Sequence, residues 1–285
     1  VLIAGRAHPE LAEKVAVGLG VDLVPTTAYD FASGEIYVRF AESVRGADAF
    51  VLQSHTAPIN QWVMEHLLMV DALKRASVKQ ITAVLPFYPY ARQVDLHAAQ
   101  TQGFFDGPVD HLFAMPTLVD YVRTRVDLTN VVVVSPDAGR IRVAEQWAAK
   151  LGGCPLAFVH KTRDITRPNQ AVANRVVGDV SGRDCVLVDD LIDTGGTIAE
   201  AVRVLKENGA RNVTIVATHG VLSDPATRRL AECGAQEVVV TDTLPIPHEK
   251  RFENLTVLSI APLLARAIRE VFDEGSVTSL FDGNG

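Results

Sequence analysis

A chain of 285 residues, 48% hydrophobic and 21% charged, has enough apolar material for two domains of ordinary size, which excludes a disordered polypeptide. Its net charge of −7 argues against a general nucleic-acid binder, so any phosphate site has to come from local basic clusters. No apolar run is long enough to span a bilayer, no signal peptide opens the chain, and three scattered cysteines (Cys154, Cys185, Cys233) without metal-ligand spacing suit core positions in a reducing cytoplasm.

In chain order, Val1 to Ala4 reads as a strand, which predicts a short further segment ahead of Val1, and Gly5 to His8 reads as a loop. Pro9 suits a first helical position ahead of Leu11, Val15 and Leu19. Tyr29 to Phe40 alternates around a Ser33-Gly34 turn, and Ala49 to Leu52 is a short strand. Ile59 to Ala76 predicts a helix with Val63, Leu67, Val70 and Leu73 on its apolar face; Ile81 to Leu85 predicts a buried strand. This strand–helix–strand order predicts a parallel sheet covered by helices.

The second half repeats the scheme. Strands are expected at Val131 to Val134, Leu156 to Val159, Val186 to Val188, Val213 to Ala217 and Val238 to Thr241. Helices are expected at about Ile141 to Leu151, Ile198 to Glu207 and Ala226 to Cys233, the last entered by Asp224-Pro225 and closed by Gly234. The expected fold is α/β: two similar doubly wound parallel-sheet domains, with ligands beyond the carboxyl ends of the strands.

The most informative stretch is Val186 to Thr197, VLVDDLIDTGGT. A buried strand ends in Asp189 and Asp190, then Asp193, Thr194, Gly195, Gly196 and Thr197 turn the chain into a helix. Two glycines and a helix N-terminus suit a phosphate monoester, the two threonines can donate hydrogen bonds, and the carboxylates can hold magnesium or sugar hydroxyls. An ordinary strand-to-helix turn explains the glycines but not three crowded carboxylates. Ser135 to Arg142 (SPDAGRIR) reads equally as a diphosphate cradle, with Asp137 on a metal and charge from Arg140 or Arg142, or as a helix capped by Asp137.

His160 to Asp184 carries Lys161, Arg163, Arg167 and Arg175 against Asp164 near its start, a basic loop suited to charge stabilisation in phosphoryl transfer. His97, beside Asp95, can ligate a metal or contact a triphosphate; Arg92 and Gln93 can hold a nucleotide; Phe31 can stack on a base or fill a core.

Together these segments resemble the ribose-phosphate pyrophosphokinase (PRPP synthetase) family, phosphate-dependent class, over almost the entire chain. The matching stretches are GRAHPELA, FASGE, ESVRGAD, DALKRAS, YARQ, VDLHAAQTQGFFDGPVDH, VVSPDAG, VDDLIDTGGT, ATHGVLSDPA and SVTSLF. Phosphoribosyltransferases share VDDLIDTGGT but lack YARQ, DLHA and QGFF. The resemblance implies the phosphoribosyltransferase type of fold, with an ATP and regulatory domain at 1–116 completed by 262–285, and a ribose-5-phosphate domain at 117–261.

The resemblance also implies that the β,γ-diphosphoryl group of ATP passes to ribose 5-phosphate, giving PRPP and AMP. Asp189, Asp190 and Asp193 to Thr197 would hold the sugar phosphate, and His97 and Asp137 would contact magnesium. Arg92, Gln93 and His97 would bind ATP, with Phe31, Ser33 and Glu35 reaching the adenine from a neighbouring subunit. Lys161 and Arg163 match the mobile catalytic loop. Ser43, Arg45, Ser77, Asp110, Ser276, Thr278 and Phe281 match an inter-subunit anion site at which inorganic phosphate activates and ADP inhibits. The implied partners are ATP, ribose 5-phosphate and further copies of the chain, as a hexamer, with neither nucleic acid nor membrane. Two departures stand out: Gln93 runs directly into Val94 where the family carries a further segment, and Arg140 replaces the second glycine of DAGG, which is costly if that position needs a positive φ. The rival readings are a non-catalytic regulatory homologue and a phosphoribosyltransferase that consumes PRPP.

Overall fold

The apolar runs of the N-terminal third become three short parallel strands. β1 (Leu2–Ala4), β4 (Asp48–Leu52) and β5 (Gln80–Val84) lie in the order β1-β4-β5. Between them, β2 (Thr26–Asp30) and β3 (Ile36–Phe40) pair as an antiparallel hairpin around the Ser33-Gly34 turn. In this computed structural model the described residues are 1–89, 107–162, 173–277 and 280. They divide into two compact units, one of Val1–Phe113, Thr243–Pro245 and Ser259–Gly285, the other of Ala114–Asp242 and Ile246–Leu258. Among the described residues no helix is long and apolar enough to cross a membrane.

In the first unit, helix α1 (Pro9–Leu19) starts on its proline and ends at Gly20, whose φ of 71° is the left-handed conformation that closes a helix without a Cβ penalty. Helix α2 (Ile59–Arg75) buries Glu65, His66, Met69 and Leu73, whereas Leu67 is 57% exposed. The helix is therefore rotated from the face expected from the leucines and valines. The cause is polar: buried Glu65 accepts from Arg6 Nε at 2.5 Å and from Gln53 Nε2 at 3.1 Å, so its face is drawn inward. Arg6 also reaches Asp30 at 2.7 Å, and Gln61 donates to the other Asp30 oxygen at 3.0 Å, fastening the turn end of the hairpin. The C-terminal helix α7 (Ala261–Phe272) returns to this unit and packs on α1: Gly18 leaves room for Ala265, and Arg269 donates to the Gly18 carbonyl at 3.4 Å.

The second unit opens with α3 (Met115–Arg123), followed by β6 (Val131–Ser135), α4 (Ile141–Lys150), β7 (Leu156–Thr162), β8 (Ala173–Val177) and β9 (Asp184–Ile192). Then come α5 (Gly196–Glu207), β10 (Asn212–Gly220), α6 (Ala226–Glu232), β11 (Glu237–Thr241) and β12 (Leu255–Leu258). The seven strands lie in the order β12-β11-β10-β9-β6-β7-β8, all neighbours parallel except the antiparallel pair β7–β8. Val131 to Val134 and Val186 to Val188 are buried on both faces, as runs of β-branched residues demand in a covered parallel sheet. Each such side chain contributes about 1.5–3 kcal/mol on burial.

Two departures from the expected elements bear on function. Leu156 begins a strand that continues to Thr162 rather than stopping at Val159, because β8 returns beside it and pairs His160 with Arg175 and Lys161 with Asn174. Similarly, β9 runs from Asp184 to Ile192, since β10 pairs alongside it as far as Gly220.

At the start of β9, buried Asp184 accepts from Arg211 Nε and Asn212 Nδ2, each at 2.9 Å. The Arg211 bond, more than any other influence, holds its carboxyl below the ordinary value. A depressed carboxylate stabilises the fold fully above the unfolded value and loses that contribution as pH falls through the folded one. Asp184→Ala should therefore lower the melting temperature by a few degrees at neutral pH, and the deficit should shrink below about pH 4. Thermal scans across pH check this; a deficit constant down to strong acid rejects it.

Candidate active site

The sheet order brings three carboxyl ends together, because β7, β6 and β9 are consecutive neighbours. From β6 the chain moves to β7 on one side, and after β8 it returns to lay β9 on the other. The gap between the ends of β6 and β9 is thus a topological switch point, where open α/β sheets place ligands.

Asp189 and Asp190 lie on β9 itself, near its carboxyl end. Asp189 is mostly buried and Asp190 half exposed. Asp189 Oδ1 accepts the Asp190 N–H at 2.9 Å. Burial above all, and then the adjacent Asp190 carboxyl, push Asp189 up to about 7. The turn that follows places Gly195 at φ 68°, a conformation glycine adopts without strain, and α5 begins at Gly196 with no side-chain cap. The N-terminus of a twelve-residue helix next to the carboxylates is a place where partial positive charge suits an anion.

Helix α6 backs this turn. A Cβ on Gly195 would stand 3.4 Å from Leu230 Cγ and 3.5 Å from Ala226 Cα, and one on Gly196 would stand 3.4 Å from Arg229 Nη1. Arg229 Nη1 also donates to the Thr194 carbonyl at 3.1 Å. This cation beside the phosphate turn was missed in the sequence; its only signal was a second arginine in the segment after ATHGVLSDPA.

At the end of β6, Ser135 Oγ donates to the Asp137 carbonyl at 2.6 Å, and Asp137 Oδ1 accepts the Gly139 N–H at 2.8 Å. The capping role of Asp137 is therefore real, and it uses one carboxylate oxygen. Arg140 has φ −107° and ψ 10°, so the expected cost of an arginine in a left-handed conformation does not arise. Of the two candidate cations in this turn, Arg140 faces the carboxylates: its Nη1 lies 2.7 Å from Asp190 Oδ2 and its Nε 3.9 Å from Asp189 Oδ1. Arg142 is exposed.

Lys161 has its backbone in β7, within the strand and not in the loop after it. Arg163 lies outside the described residues, as do Arg92, Gln93 and His97. In the first unit, the hairpin tip is closed by Phe31 N–H to the Glu35 carbonyl and Gly34 N–H to the Phe31 carbonyl, both 2.8 Å, and Ser33 Oγ donates to Glu35 at 3.3 Å. Phe31 is 46% exposed with an edge-on contact to Tyr29, and so is not a core residue. The structure brings Ser43, Arg45 and Ser77 together: the loop holding the first two is tied to Ser77 by the Gly46 N–H to the Ser77 carbonyl at 2.9 Å. Asp110 and Ser276 are exposed and flank a small cluster of Leu112, Phe113, Leu263 and Val277. Thr278 and Phe281 lie outside the described residues.

Among the described residues no group of three or more His, Cys, Asp or Glu side chains forms a metal cluster. Magnesium needs none: one or two carboxylates complete its shell with substrate phosphates and water, and the second Asp137 oxygen suits that role.

A parallel-sheet α/β unit with an aspartate- and glycine-rich turn into a helix at its switch point is an architecture suited to an enzyme that handles a phosphorylated small molecule. Residues 1–102 match the family model for the N-terminal domain of ribose phosphate pyrophosphokinase, and residues 165–282 match the phosphoribosyl synthetase-associated domain. The chain is 66% identical over 313 aligned residues to the ribose-phosphate pyrophosphokinase of Bifidobacterium longum, covering 99% of this chain and 92% of that one. It is 61% identical to the enzyme of that name from Mycobacterium tuberculosis, covering 99% and 96%. The crystal structure of phosphoribosylpyrophosphate synthetase from Mycobacterium smegmatis superposes with a TM-score of 0.90 at 59% identity, covering 96% of this chain and 99% of that one. The chain belongs to the ribose-phosphate pyrophosphokinase family and is an enzyme. An alignment of 313 positions exceeds the 285 residues of this chain, so the relative carries internal positions that this sequence lacks.

Proposed function

We propose that the chain transfers the β,γ-diphosphoryl group of ATP to the anomeric hydroxyl of ribose 5-phosphate, giving PRPP and AMP. The observation that carries this reading is the turn from β9 into α5. A glycine-led helix N-terminus for the 5-phosphate stands beside carboxylates for the sugar hydroxyls, at the switch point of the sheet. The anomeric oxygen attacks the β-phosphorus, the bond to the oxygen bridging the α- and β-phosphates breaks, and AMP leaves with that oxygen. The attacking hydroxyl loses its proton.

In this reading Asp189, Asp190 and Asp193 to Thr197 hold the sugar phosphate, and Lys161 and Arg163 meet the transferring group. Arg92, Gln93 and His97 bind ATP, and the exposed Phe31, with Ser33 and Glu35, suits an adenine reached from a second copy in a hexamer. Residues 1–116 with 262–285 form the ATP and regulatory part, and 117–261 the sugar part. Asp137 and His97 would hold magnesium, which when bound neutralises phosphate charge. Supplying ATP, ribose 5-phosphate and magnesium and measuring AMP and PRPP tests the reading. Sugar-dependent AMP formation is expected; none, or pyrophosphate release from PRPP and a base, overturns it.

Asp193→Ala should raise the Michaelis constant for the sugar by about tenfold, the scale of one charge-assisted hydrogen bond, without lowering the melting temperature. An unchanged response at limiting sugar would count against the site. Inorganic phosphate is proposed to activate, and ADP to inhibit, through Ser43, Arg45, Ser77, Asp110, Ser276, Thr278 and Phe281. Activity flat across a phosphate titration rejects that.

A further inference from the structure

We propose that Arg140 is the positioning residue of the sugar site, aiming Asp190 by holding one of its carboxylate oxygens. The inference rests on the sugar-site reading above and deepens it. Two neighbouring aspartates at a strand end repel each other and offer many oxygen positions, of which few suit a pair of vicinal hydroxyls. Arg140 removes that freedom. It starts from the neighbouring strand end, beyond β6, in an unstrained backbone conformation. Its Nη1 takes Asp190 Oδ2 at 2.7 Å, and its Nε faces Asp189 Oδ1 at 3.9 Å. The Asp190 N–H in turn donates to Asp189 Oδ1 at 2.9 Å, so the pair and the guanidinium form one connected unit.

The arrangement also spans the switch point. The paired register of β6 and β9 ends at Val134 and Leu187, short of the turn and of the two aspartates. The Arg140 side chain is a link between them, from the proposed diphosphate turn to the proposed sugar carboxylates. A planar fork with several fixed donors suits this task, and a lysine would supply the charge without the geometry.

The test measures ribose 5-phosphate binding by calorimetry and steady-state kinetics for wild type, Arg140→Ala, Arg140→Lys, Asp190→Asn and the Ala/Asn double variant. Arg140→Ala should weaken sugar binding and raise the sugar Michaelis constant by about ten- to a hundredfold, the range for losing one partner of a close charge pair at a binding site. Turnover at saturating sugar and the Michaelis constant for ATP should change by less than about threefold, since the loss lies in ground-state binding. Arg140→Lys should recover part of the loss. Because Arg140 acts through Asp190, the double variant should bind sugar no worse than Asp190→Asn alone.

Unchanged sugar affinity in Arg140→Ala overturns the proposal, as does a loss confined to turnover. Losses that multiply in the double variant overturn it too, since Arg140 would then act on a ligand directly. A melting temperature lowered equally in Arg140→Ala and Arg140→Lys, with no partial recovery of affinity in the latter, assigns Arg140 to folding instead. Wild-type protein that binds the sugar but forms no AMP would overturn the catalytic reading and leave the Arg140 result standing.

Discussion

Lys161→Ala and Arg163→Ala are each expected to lower turnover by about a hundredfold or more, the scale for losing one preorganised donor to a developing charge. The backbone of Lys161 is fixed in β7, where it pairs with Asn174 of β8, so its position relative to the sheet end is set before substrate arrives. The β7 end, where the Lys161 backbone lies, adjoins the β6 end that carries the proposed diphosphate turn. A cation there gains strength as water is excluded around the bound phosphates. An interaction made mainly in the transition state lowers turnover more than it weakens binding, so both Michaelis constants should move far less. The double variant should fall short of the product of the two single losses if the cations act as a unit. Near wild-type turnover in either single variant would remove this segment from the mechanism and return the chemistry to magnesium and the turn after β6.

Gly178→Ala should be the most damaging conservative change to the fold. Gly178 has φ 109°, a backbone conformation that L side chains rarely adopt. A Cβ there would stand 2.8 Å from Ala157 Cβ, 2.9 Å from Ala157 Cα and 2.9 Å from the Leu156 carbonyl oxygen. Two of those three atoms are backbone of β7, so rotamer changes cannot relieve the clash. Steric strain and overpacking together amount to about 2–5 kcal/mol. Because Gly178 follows β8 directly, the damage falls on the ribbon that carries Lys161. A melting temperature lowered by several degrees together with reduced turnover is the expected result; a variant as stable and active as wild type rejects the account.

Where side chains near in sequence make the structure, the sequence is legible. The valines of β6 and β9, the glycine turn into α5 and the hairpin around Ser33-Gly34 follow from period, composition and turn chemistry. Strands at the sheet edges were not legible. β8 is short and partly exposed, with Val177 41% open, and β12 is only half-buried throughout, so neither has the continuous apolar run of a central strand. Helix α7 carries a readable signal in Leu263, Leu264, Ala267 and Ile268 behind Pro262, but nothing local says that it returns to α1. In the site, the carboxylates and glycines announce themselves. Arg140 is legible only as one of two candidate cations for a diphosphate, and Arg229 not at all, because their contacts depend on which strand lies beside which and on α6 backing the turn. Charged neighbours likewise turned α2, since Glu65 is buried for the sake of Arg6, which no hydrophobic periodicity encodes.

The return of α7 to α1 sets an order of events during synthesis. The strands β1, β4 and β5 are made before the second unit, yet the helix that covers α1 is made after it. Until it emerges, the nascent first unit presents an unfinished apolar face, while nearly all of the second unit, from Ala114 to Asp242, is already available to fold. The first unit is thus completed only after the second, and a ribosome that stalls before Ala261 leaves behind a product whose first unit is the less protected of the two.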